Sequence, residues 1–158
     1  MVRPDGRRGI YGVVVSTPSV YIVAVTPQRE VYLVKQYRYP TQMWSWEIPQ
    51  GNSDGGALLS AAKRELQEET GLTAAHWRSF GRFQTLNGVS NEMGYLFLAR
   101  GLKQTNKHEQ REEGIVAMRV VPFPTLVRMI KRGTISDSLT ITAVMKVALV
   151  LGWVWLQT

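Results

Sequence analysis

The order of the sequence patterns predicts an α+β fold, in which a mixed β-sheet carries helices on its faces as an α/β/α sandwich. Runs of strand length open the chain, a helix-forming stretch interrupts them, further strands follow, and two helical stretches close the chain. Strands, helix, strands and helices in that order are typical of a sheet with helices packed on it. With 158 residues, of which 44% are hydrophobic and 20% charged, residues 1–158 are expected to form a single globular domain.

The first half of the chain supplies three predicted strands and the first helix. The runs YGVVV, SVYIVAVT and VYLVKQYRY have the length and composition of strands, and TPQRE separates the last two as a turn. WSWEIPQG then leads into a loop of turn-forming residues, GNSDGG. The stretch ALLSAAKRELQEE lacks glycine and proline, so a helix is predicted over residues 57–70, and Gly71 is placed to end it.

The second half supplies three further strands, FGRFQTL, MGYLFLARGL and IVAMRVVPF. Between the last two of these lies KQTNKHEQREEG, which is polar throughout and is predicted to be an exposed loop. FPTLVRMIKRG follows the last strand and is predicted to be a short helix that ends at Gly133.

The C-terminal stretch LTITAVMKVALVLGWVWLQT is apolar enough to resemble a membrane span. Lys146 lies in its middle, however, and the SDS that precedes it offers Ser136, Asp137 or Ser138 as the N-cap of a helix. A buried helix is therefore favoured over a membrane span. Trp153 and Trp155 at its end are expected to cover the core or to reach a partner subunit.

The predicted helix over residues 57–70 concentrates negative charge on one face of a protein whose net charge is +7. Glu65 and Glu69 are i,i+4 neighbours and Glu68 lies three residues after Glu65, so the three carboxylates share a face. Such a charge run is commonly a solvated helix face. Three carboxylates at helical spacing with no lysine among them also suit a hard divalent cation, because Mg²⁺ takes oxygen ligands and binds substrate phosphates.

Composition narrows the classes of function. The absence of cysteine excludes disulfides and thiolate metal sites. The basic residues that give a pI near 10 are scattered, so a small polyanionic substrate is favoured over nucleic acid. The start MVRPDGRRGIYG has no apolar signal region, so a cytoplasmic location without a membrane partner is expected.

RELQEETGL, from Arg64 to Leu72, resembles the second half of the Nudix box, G-x5-E-x7-R-E-U-x-E-E-x-G-U with U apolar, at every fixed position. LVKQYRYP, WSWEIPQG, SNEMGYLFLARGL and GTISDSLTITAVMKVAL resemble segments of the ADP-ribose and nucleotide-sugar pyrophosphatase branch of that family. The resemblance covers nearly the whole chain from about Pro4. It implies the Nudix fold, a homodimer, and metal-dependent hydrolysis of the diphosphate in ADP-ribose, ADP-glucose, GDP-mannose or a similar nucleotide sugar.

The same resemblance assigns roles on the predicted helix. It implies Mg²⁺, with Mn²⁺ as an alternative, held chiefly by Glu65 and Glu69, with Glu68 and the backbone carbonyl of Gln50 assisting. Arg64 is expected to orient one of the glutamates through an ion pair.

The resemblance also implies a general base in the polar loop before the last strand. Glu112 is the first candidate by position, followed by Glu113 and Glu109; the alternative is a merely solvated acidic loop.

Substrate contacts are expected from residues outside the helix. Arg38 is predicted to meet a phosphate as a fork, and Glu47 is a further candidate for a substrate contact. Glu92 is a candidate for ribose hydroxyls. Trp44 and Trp46 either stack on a base or belong to the core.

The first half of the Nudix box is broken in this chain. Counting from Gly51 places the box glutamate at Ala57, and counting back from Arg64 places it at Gly56, so neither position carries a carboxylate. A reduced metal affinity is expected. The enzyme hypothesis therefore competes with a Nudix-fold module that binds nucleotides without efficient catalysis, and a third hypothesis, an RNA-processing relative, lacks a concentrated basic or aromatic tract.

Overall fold

A computed structural model of the chain describes residues 1–105 and 107–154, which contain seven strands and three helices. The strands are β1 (Ser19–Ala24), β2 (Glu30–Arg38), β3 (Met43–Glu47), β4 (Gln50–Asn52), β5 (Leu72–Gln84), β6 (Met93–Gln104) and β7 (Ile115–Pro122). The helices are α1 (Leu58–Thr70), α2 (Phe123–Lys131) and α3 (Ser138–Val150). The element order confirms the predicted α+β class.

The strands divide between two sheets. One has the order β4-β1-β6-β5 and is mixed, because β1 runs parallel to β6 while the other pairs are antiparallel. The other has the order β3-β2-β7 and is antiparallel throughout. The sequence predicted a mixed sheet but gave no signal that the strands would separate, since pairing between distant strands leaves no local pattern.

Strand β1 lies at the centre of the α/β/α arrangement, and all six of its residues are buried. Successive side chains of a strand point to opposite faces of the sheet. Val20, Ile22 and Ala24 accordingly pack in the cluster that includes the apolar side of α1, whereas Tyr21 and Val23 pack in the cluster that includes α3. Because helices and neighbouring strands cover both faces of β1, its sequence is a continuous apolar run.

The larger of the two core clusters joins the second sheet to the first. Leu33 of β2, Leu126 of α2 and Val144 of α3 all belong to it, and each is at most 1% exposed. The two sheets are therefore held together through apolar packing with α2 and α3, and a cleft remains where they diverge.

The predicted N-terminal strand YGVVV is wrong. Residues 11–15 form no strand; Val14 makes one isolated parallel bridge with Ser90, and Val13, Val14 and Val15 are exposed. A β-rich composition is insufficient here because the segment has no sheet partner that would bury one of its faces.

Other boundaries differ by a few residues. The stretch predicted to lead into a loop instead contains β3 and β4, and the loop that remains is residues 53–57. Strand β5 begins at Leu72, eight residues before the predicted run. A register shift between Ser79 and Arg82, with Gly81 at φ 85°, marks a bulge that interrupts the alternation of apolar and polar residues.

Helix α3 is buried as predicted, since Thr140, Ala143, Val144, Val147 and Ala148 are all inaccessible to solvent. Within residues 1–105 and 107–154, no helix is long and apolar enough to cross a membrane.

The end of the described chain folds back on the core. Trp153 packs edge to face on Phe123 of α2, with ring centroids 5.1 Å apart, which confirms its predicted contact with the core. Trp155, for which the same role was predicted, lies outside the described residues.

The helices differ in how their ends are capped. Asp137 caps α3 by accepting a hydrogen bond from the Thr140 amide at 2.7 Å. Gly71 ends α1 in the left-handed conformation at φ 71°, as predicted, and α2 ends at Lys131, two residues before Gly133. Helix α1, which carries the glutamates, begins at Leu58 and has Ala57 at its N-cap position without a side-chain hydrogen bond.

We expect Ala57→Ser to stabilise the protein by about 1 kcal/mol, because a serine hydroxyl would accept a hydrogen bond from one of the free amides in the first turn of α1. The measurement is urea unfolding of the two proteins. Ala57→Val changes the same exposed site without adding an acceptor and should give no gain; an equal gain from valine would contradict the capping explanation.

Candidate active site

A cleft of about 610 Å³ opens between the two sheets and the start of α3. This volume lies in the range of sites for small organic ligands. The three side chains predicted to contact substrate, Arg38, Glu47 and Glu92, all line it, although they come from three different strands or loops. Gln50 and Gly51 of β4 form part of the same wall.

Arg38 at the end of β2 and Glu47 at the end of β3 form an ion pair although they are not opposite in register, since Arg38 lies opposite Met43 and Glu47 opposite Val34. The Arg38 Nε donates to both carboxylate oxygens of Glu47, at 3.0 and 3.1 Å, and its Nη2 also bonds to that carboxylate. Glu47 is buried, so its charge requires this partner. Hydrogen bonding to Glu47 raises the pKa of Arg38, whose side chain lines the cleft and stays 39% exposed.

Gln50 connects this pair to helix α1. Its side-chain amide donates to Glu47, while its backbone N–H donates to the Glu69 carboxylate at 3.0 Å. The Gln50 Oε1 is buried and has no hydrogen-bond partner among the described residues. Buried acceptors are normally satisfied, so this atom marks a place for a donor or a cation.

Helix α1 presses two carboxylates against β4. Glu65 is 5% exposed and Glu69 is 2% exposed. A Cβ atom on Gly51 would collide with the Glu65 carboxyl group, so the chain has a glycine here because the carboxylate approaches the backbone closely. The sequence pattern placed these two residues on one face, and the structure shows that this face is turned inward.

Burial changes the protonation of both groups. Loss of hydration raises the pKa of Glu65 to about 7, against the opposing effect of Arg64. Burial raises the pKa of Glu69 well above its usual value, and only the Gln50 amide and Arg38 oppose this. Burial thus favours the protonated form of both carboxylates.

Arg64 connects α1 to the preceding loop. Its Nη1 donates to Glu68 at 2.7 Å, and its Nη2 lies 2.7 Å from Glu65. The same Nη2 donates to the Asn52 carbonyl at 2.8 Å and to Asp54 at 3.0 Å. One guanidinium therefore contacts three carboxylates, two on the helix and one in the loop.

The polar loop before β7 docks on the C-terminal end of α1. The Glu109 amide donates to the Glu68 carbonyl at 2.9 Å, and the Gln110 side chain donates to the Glu69 carbonyl at 3.0 Å. These carbonyls belong to the last turn of the helix and have no partner within it. The side chain of Glu109 itself is exposed.

Glu113 is the loop glutamate that faces the carboxylates of α1. The Gln36 side chain donates to its backbone carbonyl at 2.7 Å, and its negative charge contributes to the raised pKa of both Glu65 and Glu69. Its side chain is half-buried, whereas Glu112 is exposed.

The remaining candidates fall on two sides of the cleft wall. Glu92 lines the cleft and accepts a hydrogen bond from the Thr85 hydroxyl at 2.8 Å. Trp44 is half-exposed in the cleft, but Trp46 packs against the core beneath the Arg119 guanidinium. The structure thus separates two tryptophans that the sequence treated alike.

Comparison with known sequences decides the family. The family model of the NUDIX domain matches residues 15–141. The chain belongs to the Nudix family. The resemblance on which the predicted fold and family rested is thereby confirmed.

Individual relatives agree. An ADP-ribose pyrophosphatase of Mycobacterium tuberculosis (strain ATCC 25618 / H37Rv) is 34% identical over 132 residues, covering 82% of this chain and 64% of that protein. An ADP-ribose pyrophosphatase of Bacillus subtilis (strain 168) is 30% identical over 143 residues, which cover 89% of this chain and 77% of that protein. A crystal structure described as an ADP compounds hydrolase superposes with a TM-score of 0.84 at 19% identity, over 96% of this chain and 82% of that one, and so shares the Nudix fold.

The donors on α1 fit a hard divalent cation in chemistry. Glu65 and Glu69 are buried against Gly51 and Gln50 of β4, and the Gln50 Oε1 is a buried oxygen without a hydrogen-bond partner among the described residues. In the described part of the chain, no three His, Asp or Glu side chains already stand as a metal-binding group. Arg64 holds Glu65 in an ion pair, so a cation would have to share that carboxylate with the guanidinium.

Sequence reasoning missed several residues of this Nudix site. Gln36 and Gln110 hold the loop through backbone carbonyls, and glutamine carries no pattern that would reveal such a contact. Asp54 did leave a signal, because it is the only acidic residue between Gly51 and Arg64. Its contact with Arg64 became visible only in the structure.

The raised pKa values predict how the stability of the metal-free protein depends on pH. Because Glu65 and Glu69 bind protons more tightly when folded, the folded state holds more protons above about pH 4.5, and the free energy of unfolding falls as the pH rises toward and past 7. Each pKa unit of difference between folded and unfolded protein corresponds to about 1.4 kcal/mol.

In EDTA, we therefore expect Glu69→Gln to be more stable than the wild type at pH 8 and to lose less stability between pH 5 and 8. Denaturant unfolding at several pH values measures this. Glu112→Gln removes an exposed glutamate and should keep the wild-type slope. A Glu69→Gln curve parallel to the wild type would contradict the buried, proton-binding state of Glu69.

Proposed function

We propose that this Nudix protein is a divalent-cation-dependent pyrophosphohydrolase that cleaves the diphosphate of ADP-ribose or a related nucleotide sugar. One observation carries the proposal: two residues that line the cleft also contact the buried carboxylate pair. Gln50 and Gly51 line the cleft, and the same two residues contact Glu69 and Glu65. The names of the relatives support the substrate class.

Glu65 and Glu69 would be the chief ligands of the cation, Mg²⁺ or Mn²⁺, with Glu68 and the Gln50 carbonyl assisting. In an antiparallel strand, the N–H and C=O of one residue point to the same side, and the Gln50 N–H points at Glu69. A bound Mg²⁺ would neutralise phosphoryl oxygens and lower the pKa of a bound water. The buried carboxylates supply the negative charge that such an ion requires.

On the cleft side, Arg38 would bind a phosphate of the substrate. Glu47 holds the guanidinium in one orientation through its carboxylate, which leaves the exposed edge of the fork for an anion. Trp44 offers an exposed ring on which the nucleotide base would stack, and Glu92 offers a carboxylate for ribose hydroxyls.

Glu113 is our assignment for the general base, in place of the first sequence candidate, Glu112. Its carboxylate would accept the proton of the attacking water, and its position beside Glu65 and Glu69 supports this role. Glu112 and Glu109 point into solvent from the same loop.

The second candidate function is a module that binds a nucleotide sugar without efficient hydrolysis. The observation that favours it is the absence of the box glutamate at Gly56 or Ala57.

We also propose a homodimer in the cytoplasm. Exposed apolar side chains at Ile10, Val13, Val14 and Val15 support an association between copies, because isolated chains rarely leave such a run open to water. The cytoplasmic location carries forward the expectation drawn from the amino-acid sequence.

The decisive test is a panel of ADP-ribose, ADP-glucose and GDP-mannose with Mg²⁺ or Mn²⁺, in which the released monophosphates are detected after phosphatase coupling. Turnover of at least one compound that stops in EDTA is expected. Tight binding of ADP-ribose by calorimetry with no turnover at any metal concentration would instead favour the binding module.

Within the loop, we expect Glu113→Gln to lower kcat by about 100-fold or more, since general bases contribute about 10²–10⁴-fold. Glu112→Gln, its neighbour with an exposed side chain, is the matched control and should keep kcat within about twofold. Equal losses in the two variants, or a larger loss for Glu112→Gln, would remove Glu113 from the assignment.

A further inference from the structure

Asp54 is the acidic residue nearest in the sequence to Gly56 and Ala57, the two positions at which the box glutamate is missing. We propose that it is a positioning residue, which holds Arg64 on the loop between β4 and α1 and so frees Glu65 to bind a cation. This inference rests on the proposed function, because it concerns the same metal site.

The contacts of Arg64 are divided between helix and loop. Its Nη1 is committed to Glu68 at 2.7 Å. Its Nη2 is shared among Glu65 at 2.7 Å, the Asn52 carbonyl at 2.8 Å and Asp54 at 3.0 Å. The loop therefore supplies two acceptors, the Asn52 carbonyl and the Asp54 carboxylate, to Nη2, which also contacts the proposed metal ligand Glu65.

The backbone of the loop is shaped to present Asp54. The residue adopts the left-handed conformation at φ 50°, and Gly55 follows at φ 76°. The Gly56 amide closes the turn on the Ser53 carbonyl at 2.8 Å. Aspartate and asparagine tolerate this conformation better than most residues, so the turn brings a carboxylate back toward the helix at small cost.

A cation and Arg64 compete for Glu65. If the Glu65 carboxylate turns to a cation, Nη2 of Arg64 keeps Asn52 and Asp54 as acceptors, and the guanidinium remains in place. Without the Asp54 charge, Arg64 depends more strongly on Glu65 and withholds that carboxylate from the metal. Asp54 thus acts on the metal through Arg64.

The test measures binding of Mn²⁺ alone, from the electron paramagnetic resonance signal of the free ion, in the absence of substrate. We expect Asp54→Asn to weaken Mn²⁺ binding by about tenfold, the size of effect typical of residues that orient metal ligands. Asparagine keeps the left-handed turn and the size of the side chain, so only the charge is removed.

Two further variants separate the proposed route from general electrostatics. In the Arg64→Gln background, Asp54→Asn should change Mn²⁺ binding by less than about twofold, because the residue through which Asp54 acts is gone. Asp5→Asn removes the same charge from a surface pair, with Arg7, outside the site, and should leave Mn²⁺ binding as in the wild type.

Each remaining outcome is informative. An exposed ion pair contributes little to stability, so the melting temperature of Asp54→Asn in EDTA should stay within about 3 °C of the wild type. An unchanged Mn²⁺ affinity in Asp54→Asn, or an equal loss with and without Arg64, would overturn the role of Asp54 while leaving the proposed enzyme intact. A wild-type protein that binds no Mn²⁺ would overturn both.

Discussion

Two carboxylates buried side by side against a strand impose the main constraint on this molecule. Glu65 and Glu69 are almost inaccessible to water, and like charges in such a place are costly unless hydrogen bonds or a cation compensate them. The surrounding residues are arranged for that purpose. Gly51 gives the space, the Gln50 amide gives a hydrogen bond, and Arg64 gives a positive charge.

The helix that carries these carboxylates is fixed at both ends by chain segments outside it. At its start, Arg64 reaches back to Asn52 and Asp54 in the loop that precedes α1. At its end, the Gln67 carbonyl accepts a hydrogen bond from the Gly71 amide. The next two carbonyls accept hydrogen bonds from the loop over residues 107–114. The backbone of the loop that holds Glu113 is thus attached to the same helix that holds the proposed metal ligands, which limits how far base and metal site can move apart.

The division of the strands into two sheets creates the substrate cleft. Strand β4 pairs with β1 in one sheet, whereas β3 pairs with β2 in the other. Glu47, at the end of β3, and Gln50, at the start of β4, are only three residues apart and bridge the two sheets. Through Glu47 and Gln50, the proposed phosphate ligand Arg38 is linked to the Glu69 carboxylate on α1.

The sequence by itself determined the features that depend on local order. The periodicity of α1, the glycine at its end, the common face of Glu65, Glu68 and Glu69, and the family all follow from residues 64–72 and their neighbours. Local patterns also gave the strands β1, β2, β6 and β7, because buried β-rich runs with turn signals at their ends are distinctive.

Tertiary structure alone decided the features that depend on contacts between distant residues. Gln36 and Glu113 are 77 positions apart, so no local pattern could have revealed the hydrogen bond that joins them. Contacts between distant residues also decided three other features: the burial of the glutamate face of α1, the division of the strands into two sheets, and the exposure of YGVVV. The physical reason is common to all of them: burial and pairing belong to the packed chain, and a segment alone carries only its preference for a conformation.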